Sequence, residues 1–279
     1  MKIKTPAKEK LQKDKNIKGT LSYITYFLIL VFVCVGFAAT VKFVFLLKKS
    51  TFSGSSYSVL VASEKPFIIV ANKTYSKLTY AKLEKRNFKN SVEGGMYLGI
   101  PIDGEIKTSD KSLSPASFSD IGFLVRTITQ PWQYSYSNMT LIDTLKLIFS
   151  SITTPKNQIE TLSINVKNGD LEGISPEKIY DIFKDPNIIN EQKSIEIINA
   201  TPVDGLGGKV GKVLKNAGVN VISITSGKEE RVSSIFSATD SKTLKRISQI
   251  LNIAPVTTNV NQISDIKILI GLDFMDSVE

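Results

Sequence analysis

The chain has 279 residues, a net charge of +9, one cysteine and no histidine. The missing histidine removes the commonest general base and metal ligand. A lone Cys34 inside the most apolar run excludes disulfides, zinc cages and a cysteine nucleophile.

Residues 1–19 are polar and carry seven lysines against Glu9 and Asp14, which predicts a cytoplasmic basic tail with no core of its own. Leu21 to Val41 follows without a single charge, long enough for a hydrocarbon core of roughly 30 Å. The lysine excess before it predicts an inside N-terminus and a bulk on the outer side of a cell membrane. Lys42, Lys48 and Lys49 lie beyond the run but are outnumbered by the tail. A cleaved signal peptide is the competing reading, but its apolar core would be unusually long and no clear small-residue cleavage site follows. The expected architecture is therefore a tail (1–19), a single-pass anchor (20–47), a Ser-rich linker (48–57) and extracytoplasmic α+β, α/β-like regions at 58–190 and 193–276.

Within the first outer region, Val59–Ala62, Phe67–Ala71, Leu78–Leu83 and Ile159–Val166 predict strands, while Ile121–Ile128 and Leu141–Ile152 predict helices. Asn138 and Thr140 compete for the cap of the second helix. Ser175 followed by Pro176 predicts the start of another helix, ending near Phe183.

The second outer region turns on Ile195–Ile224. Ile195 and Ile197 alternate with Glu196 as a half-buried strand does. Thr201, Pro202, Asp204 and Gly205 break the chain, with Asp204 placed to cap a helix. Leu206, Val210, Val213, Leu214 and Ala217 share one face of that helix, and Gly218 suits its left-handed end. Asn199, Asp204-Gly205-Leu206, Gly218 and the closing Gly271-Leu272-Asp273, in this order and spacing, resemble the LytR C-terminal domain of cell-envelope proteins. That resemblance implies a place at the outer face of a bacterial membrane and no catalytic residues.

The first outer region bears a fainter resemblance to LytR-CpsA-Psr domains, carried by Phe67–Asn72, Lys77–Tyr80 and Leu98-Gly99-Ile100-Pro101-Ile102-Asp103-Gly104-Glu105. The family transfers lipid-linked glycopolymers to peptidoglycan with arginines and aspartates around a pyrophosphate and a divalent metal. This sequence departs there: Ser63-Glu64-Lys65-Pro66 replaces the expected Arg-x-Asp, and Asn87 follows Arg86 where a carboxylate is expected. Arg86, Arg126 and Glu64 are what remains as candidate lipid-phosphate contacts.

Other patterns point to ordinary structure. The glycines of Gly205–Gly211 fail the spacing of both phosphate-binding loops, so close helix–strand packing is their expected role. Asp103, Glu105 and Asp110 read as a solvated loop rather than an acid–base cluster. Trp132, Tyr134 and Tyr136 alternate, as aromatics on one strand face do; they could stack on sugars or cover a sheet edge or core. The resulting expectation is a non-catalytic envelope protein that binds or scaffolds at the wall, partnered by the membrane and by glycopolymer or envelope proteins, not by nucleic acid. No metal or cofactor is expected. A reduced phosphotransferase is the alternative.

Overall fold

A computed structural model describes residues 25–38, 40–41, 55–83, 88–111, 113–118, 121–167, 170–258 and 263–278. The chain divides into two compact units, Met1–Lys49 and Ser50–Glu279. In the first, residues 25–38 form a helix, α1. Among the described residues no helix is long and apolar enough to cross a membrane. The basic tail, residues 21–24 and 39 of the expected Leu21–Val41 span and most of the linker lie outside the described residues.

The second unit opens with a meander of β1 (Ser56–Ala62), β2 (Phe67–Asn72) and β3 (Lys77–Leu83). All three are buried on both faces over most of their length. Such continuous apolar runs mark a sheet covered by helices on each side. Helix α2 (Ser91–Leu98) then returns the chain to β4 (Gly104–Thr108), which pairs parallel to β1. Short α3 (Pro115–Phe118) and α4 (Ile121–Thr129) precede β5 (Tyr134–Ser137), antiparallel to β4. Helix α5 (Leu141–Thr153) leads to β6 (Ile159–Lys167), parallel to β3, and β7 (Asp170–Glu172) closes that edge. The strand order is β5-β4-β1-β2-β3-β6-β7. Phe118, Phe123, Leu147 and Ile148 from α3, α4 and α5 cover one face of this sheet. Phe88, Leu98, Ile179 and Phe183 cover the other.

Caps explain several boundaries. Thr140 begins α5 with a full capping box, its hydroxyl accepting from the Asp143 N–H while Asp143 accepts from the Thr140 N–H. Ser175 caps α6 (Pro176–Phe183) with Pro176 at its first position. Residues 186–191 form helix α7 (Pro186–Glu191), capped by Asp185. Residues 91–98 form α2, because Asn90 caps it and Gly99 ends it at φ 66°.

The remaining residues build a five-stranded mixed sheet. It comprises β8 (Ser194–Asn199), helix α8 (Leu206–Asn216), β9 (Asn220–Ser226), β10 (Ser234–Ser237), helix α9 (Lys242–Leu251), β11 (Pro255–Thr257), β12 (Ile266–Ile270) and helix α10 (Leu272–Val278). The order is β11-β10-β12-β8-β9, with β12 in the centre. Its core takes Ile195, Ile197, Val210, Val213, Leu214, Ile247 and Ile268 from its own elements and Val92 and Met96 from α2. Helix α2 thus contributes Val92 and Met96 to the second core while its last residue, Leu98, packs in the core of the first sheet. The two sheets share a helix.

Candidate functional site

The three carboxylates expected in a solvated loop do not behave as one. Asp103 and Glu105 are fully buried. Asp103 Oδ1 lies 2.6 Å from Nε of Arg246 on α9, and Asp103 Oδ2 accepts from the Ser58 N–H at 2.7 Å. Arg246 Nη1 reaches Asp185 Oδ2 at 2.8 Å and also donates to the Ser56 carbonyl. Arg246 is only 5% exposed, so β1, the α2–β4 segment, the α7 cap and α9 meet on one guanidinium. Burial pushes the Asp103 carboxyl upward, opposed chiefly by the charge of Arg246. Arg246 carried no signal as a site residue in the sequence except its position on the apolar face of α9, beside Ile250 and Ile247. A charge there calls for a buried partner.

Glu105 points from β4 beneath the first sheet's second face, in register with Leu60. Burial raises its carboxyl to about 7, against the pull of Lys107, whose Nζ lies 3.6 Å away. Asp110 instead pairs with Arg126 at 3.2 Å. Among the described residues no group of three or more metal-capable side chains gathers.

The candidate phosphate contacts stand in different settings. Glu64 is exposed in the β1–β2 turn, Arg126 is engaged by Asp110, and Arg86 lies outside the described residues. The aromatic set splits as well. Tyr134 is buried against Phe123, edge to face at a ring separation of 5.7 Å, and Tyr136 packs on the same core. Burial lifts the Tyr136 hydroxyl to about 12. Trp132 sits in a 3-10 turn before β5 and is 76% exposed. The turn breaks the alternation at its first member, so the three rings do not form one flat stacking face.

The residues singled out in the second region hold its loops. Asn199 Nδ2 donates to the Val203 carbonyl at 2.9 Å, and Asn199 Oδ1 accepts from the Thr201 hydroxyl at 2.8 Å, closing the turn before α8. Asp204 does not cap α8. Gly205 takes the cap position at φ 78°, a left-handed turn that displaces the carboxylate by one residue. Leu206 is buried in the core, and Gly218 is left-handed at φ 93° as expected. A Cβ on Gly211 would come within 2.7 Å of Ile224 Cδ1, and one on Gly207 within 3.1 Å of Ile224 Cγ2. Both glycines therefore serve helix–strand approach. At the far end, Asp273 Oδ1 accepts from the Ser233 N–H at 2.8 Å, and Ser233 Oγ accepts from the Gly271 N–H at 2.8 Å. This knot ends β12 at Ile270, and α10 follows.

Where the two sheets adjoin, α6 and the residues before it face α8 and β9 across a cleft of about 650 Å³. Leu98, Ile174, Ile179 and Ile224 give it an apolar wall, and Lys212 and Lys215 line it beside them. Lys212 packs its stem over Gly99, whose missing side chain leaves the room.

Residues 192–274 match the family described as LytR cell envelope-related transcriptional attenuator. No curated protein matches the chain. Among solved structures, Lmo1026 from Listeria monocytogenes is 12% identical with a TM-score of 0.26, covering 42% of this chain and 83% of that one. Lin1025 from Listeria innocua is 11% identical with a TM-score of 0.19, covering 72% of this chain and all of that one. At these values neither structure bears on the fold described above.

Proposed function

We propose, with the envelope-family match at residues 192–274 as premise, that this chain is a single-pass membrane protein whose outer unit binds or scaffolds at the cell wall. The N-terminal tail faces the cytoplasm, Leu21–Val41 spans the bilayer, and Ser50–Glu279 works outside. The observation that carries a binding role is the family match joined to a middle sheet whose carboxylates at 103, 105 and 110 are paired or buried. Asp103 is committed to Arg246, Asp110 to Arg126, and Glu105 is buried. The middle sheet is read as a degenerate LytR-CpsA-Psr domain that supports the C-terminal module.

The test is retention of the purified Ser50–Glu279 unit on isolated wall material, with the full chain followed through membrane fractionation. Binding to wall glycopolymer or peptidoglycan, and full chain in the alkali-resistant membrane pellet, is the expected result. A chain that remains in the supernatant, or a unit that ignores wall material, overturns this reading. The cleft lined by Lys212 and Lys215 favours a second reading, a reduced phosphotransferase handling a lipid-linked phosphate. That reading requires pyrophosphate release or polymer transfer that drops on Lys212→Ala.

A further inference from the structure

We propose that the outward side of the α4–α5 layer is a membrane-apposed surface that docks the outer unit onto anionic lipid; this rests on the anchor reading above. Leu141, Leu145, Phe149 and Ile152 follow one another at helical spacing along α5. Leu141, Phe149 and Ile152 are exposed, Phe149 at 68%. Leu147 and Ile148 of the same helix already fill the core and Ile142 is buried, so the helix carries more apolar surface than its fold consumes. Exposed Val125 on α4 and Trp132 in the following turn extend the same helical layer. Among the described residues the helices of the second sheet meet the first sheet mainly through α2 and α6, on the other face.

Two features select lipid as the occupant. The first is charge. Lys146 lies on the polar flank of α5, close enough to Lys73 that the two lysines influence one another. The acids of the layer among the described residues are Asp143, buried in the helix cap, and Asp110, paired with Arg126. Lys146 and Lys73 thus lie along one flank of the apolar stripe, as lysines do on helices that lie in a membrane interface. The second is position. The chain enters the outer unit at Ser55, whose carbonyl accepts from the Lys73 N–H at 2.7 Å. Lys73 lines one cleft with Ser150 and Thr153 from the end of α5. Between Val41 and Ser55 about 13 residues intervene, a reach of at most about 45 Å. The entry point and the C-terminal end of α5 therefore lie at one end of the unit, the end that this short stretch of sequence joins to the apolar run.

Trp132 is the only tryptophan, so its emission reports this surface alone. The Ser50–Glu279 unit draws all three of its cores from residue 57 onward and can be studied by itself. With vesicles containing phosphatidylglycerol, Trp132 emission should move to shorter wavelength and the protein should sediment with the lipid. Phe149→Ser, with an unchanged melting temperature, should bind roughly tenfold more weakly, the order expected for one partly inserted ring. Lys146→Glu should weaken binding to anionic but not to neutral vesicles. No shift with vesicles overturns the inference, as does a shift produced only by soluble wall glycan. Concentration-dependent dimerisation that Phe149→Ser abolishes, without lipid binding, overturns it too. If the full chain fractionates with membranes while the isolated unit ignores vesicles, this inference fails and the anchor reading stands; if the full chain is soluble, the anchor reading itself fails.

Discussion

Arg246 shows how a single side chain can join two regions whose sequences carry no mutual signal. It holds Asp103 and Asp185 away from water, so removing it strands two carboxylates in the interior. Arg246→Met should destabilise the outer unit by about 3–5 kcal/mol, the range for a broken buried ion pair, as read from urea unfolding midpoints at constant slope. A midpoint unchanged from wild type would mean the pair contributes nothing net. Glu105 makes the opposite case, a buried carboxyl with one distant cation. Its folded value near 7 exceeds the usual carboxylate value of 4.5, so the folded state binds more protons than the unfolded one between those limits. Stability should therefore fall as pH rises from about 4.5 to about 7 and level off above. Glu105→Gln should flatten that slope and leave the variant more stable than wild type at pH 8. Neither residue was legible as buried, because Asp103 and Glu105 stand in a Gly- and Pro-rich stretch that locally reads as loop. What buries Asp103 is a helix more than a hundred residues away.

Among elements, those whose signals are local were read well and those shaped by distant backbone were not. The α6 start needed only Ser175 and Pro176, and β8 only its alternation. Helix α2 was missed because Gly94 and Gly95 lower helix propensity, yet both are buried where larger residues would crowd Phe88, Leu60 and the Ile100 carbonyl. The candidate site fared less well than the fold, since the Trp132 turn and the Arg126–Asp110 pair depend on tertiary packing. Two glycines test how far close approach governs these elements. A Cβ on Gly271 would meet backbone atoms of Val232 and Ser233 at 2.7 and 2.9 Å, which cannot swing aside as a side-chain tip would. Gly271→Ala should cost about 1–3 kcal/mol and loosen α10. Gly208 in α8 has open space around the same position, so Gly208→Ala should stabilise by about 0.5–1 kcal/mol. Thermal melts of the two variants should move in opposite directions.

Over the whole outer unit, α2, α6, α7 and α9 link the sheets, and one core includes residues from both regions. Ser50–Glu279 should consequently unfold in one cooperative transition despite its two sheets. A fragment beginning near residue 185 loses Val92, Met96 and Asp103 and should melt well below the intact unit; two separate transitions in the intact unit would show the sheets to be independent. The sheet order has a further consequence for biosynthesis. Strand β12, Ile266–Ile270, lies between β8 and β10 although it is made after both. The C-terminal sheet thus has a gap at its middle until ribosomal synthesis has passed residue 270. If the unit is exported during synthesis, β8, α8 and β9 emerge packed on one another but with the inner edge of β8 unpaired until the last strand arrives. A nonsense codon or a proteolytic nick shortly before Ile266 would remove the keystone of the sheet rather than trim its border.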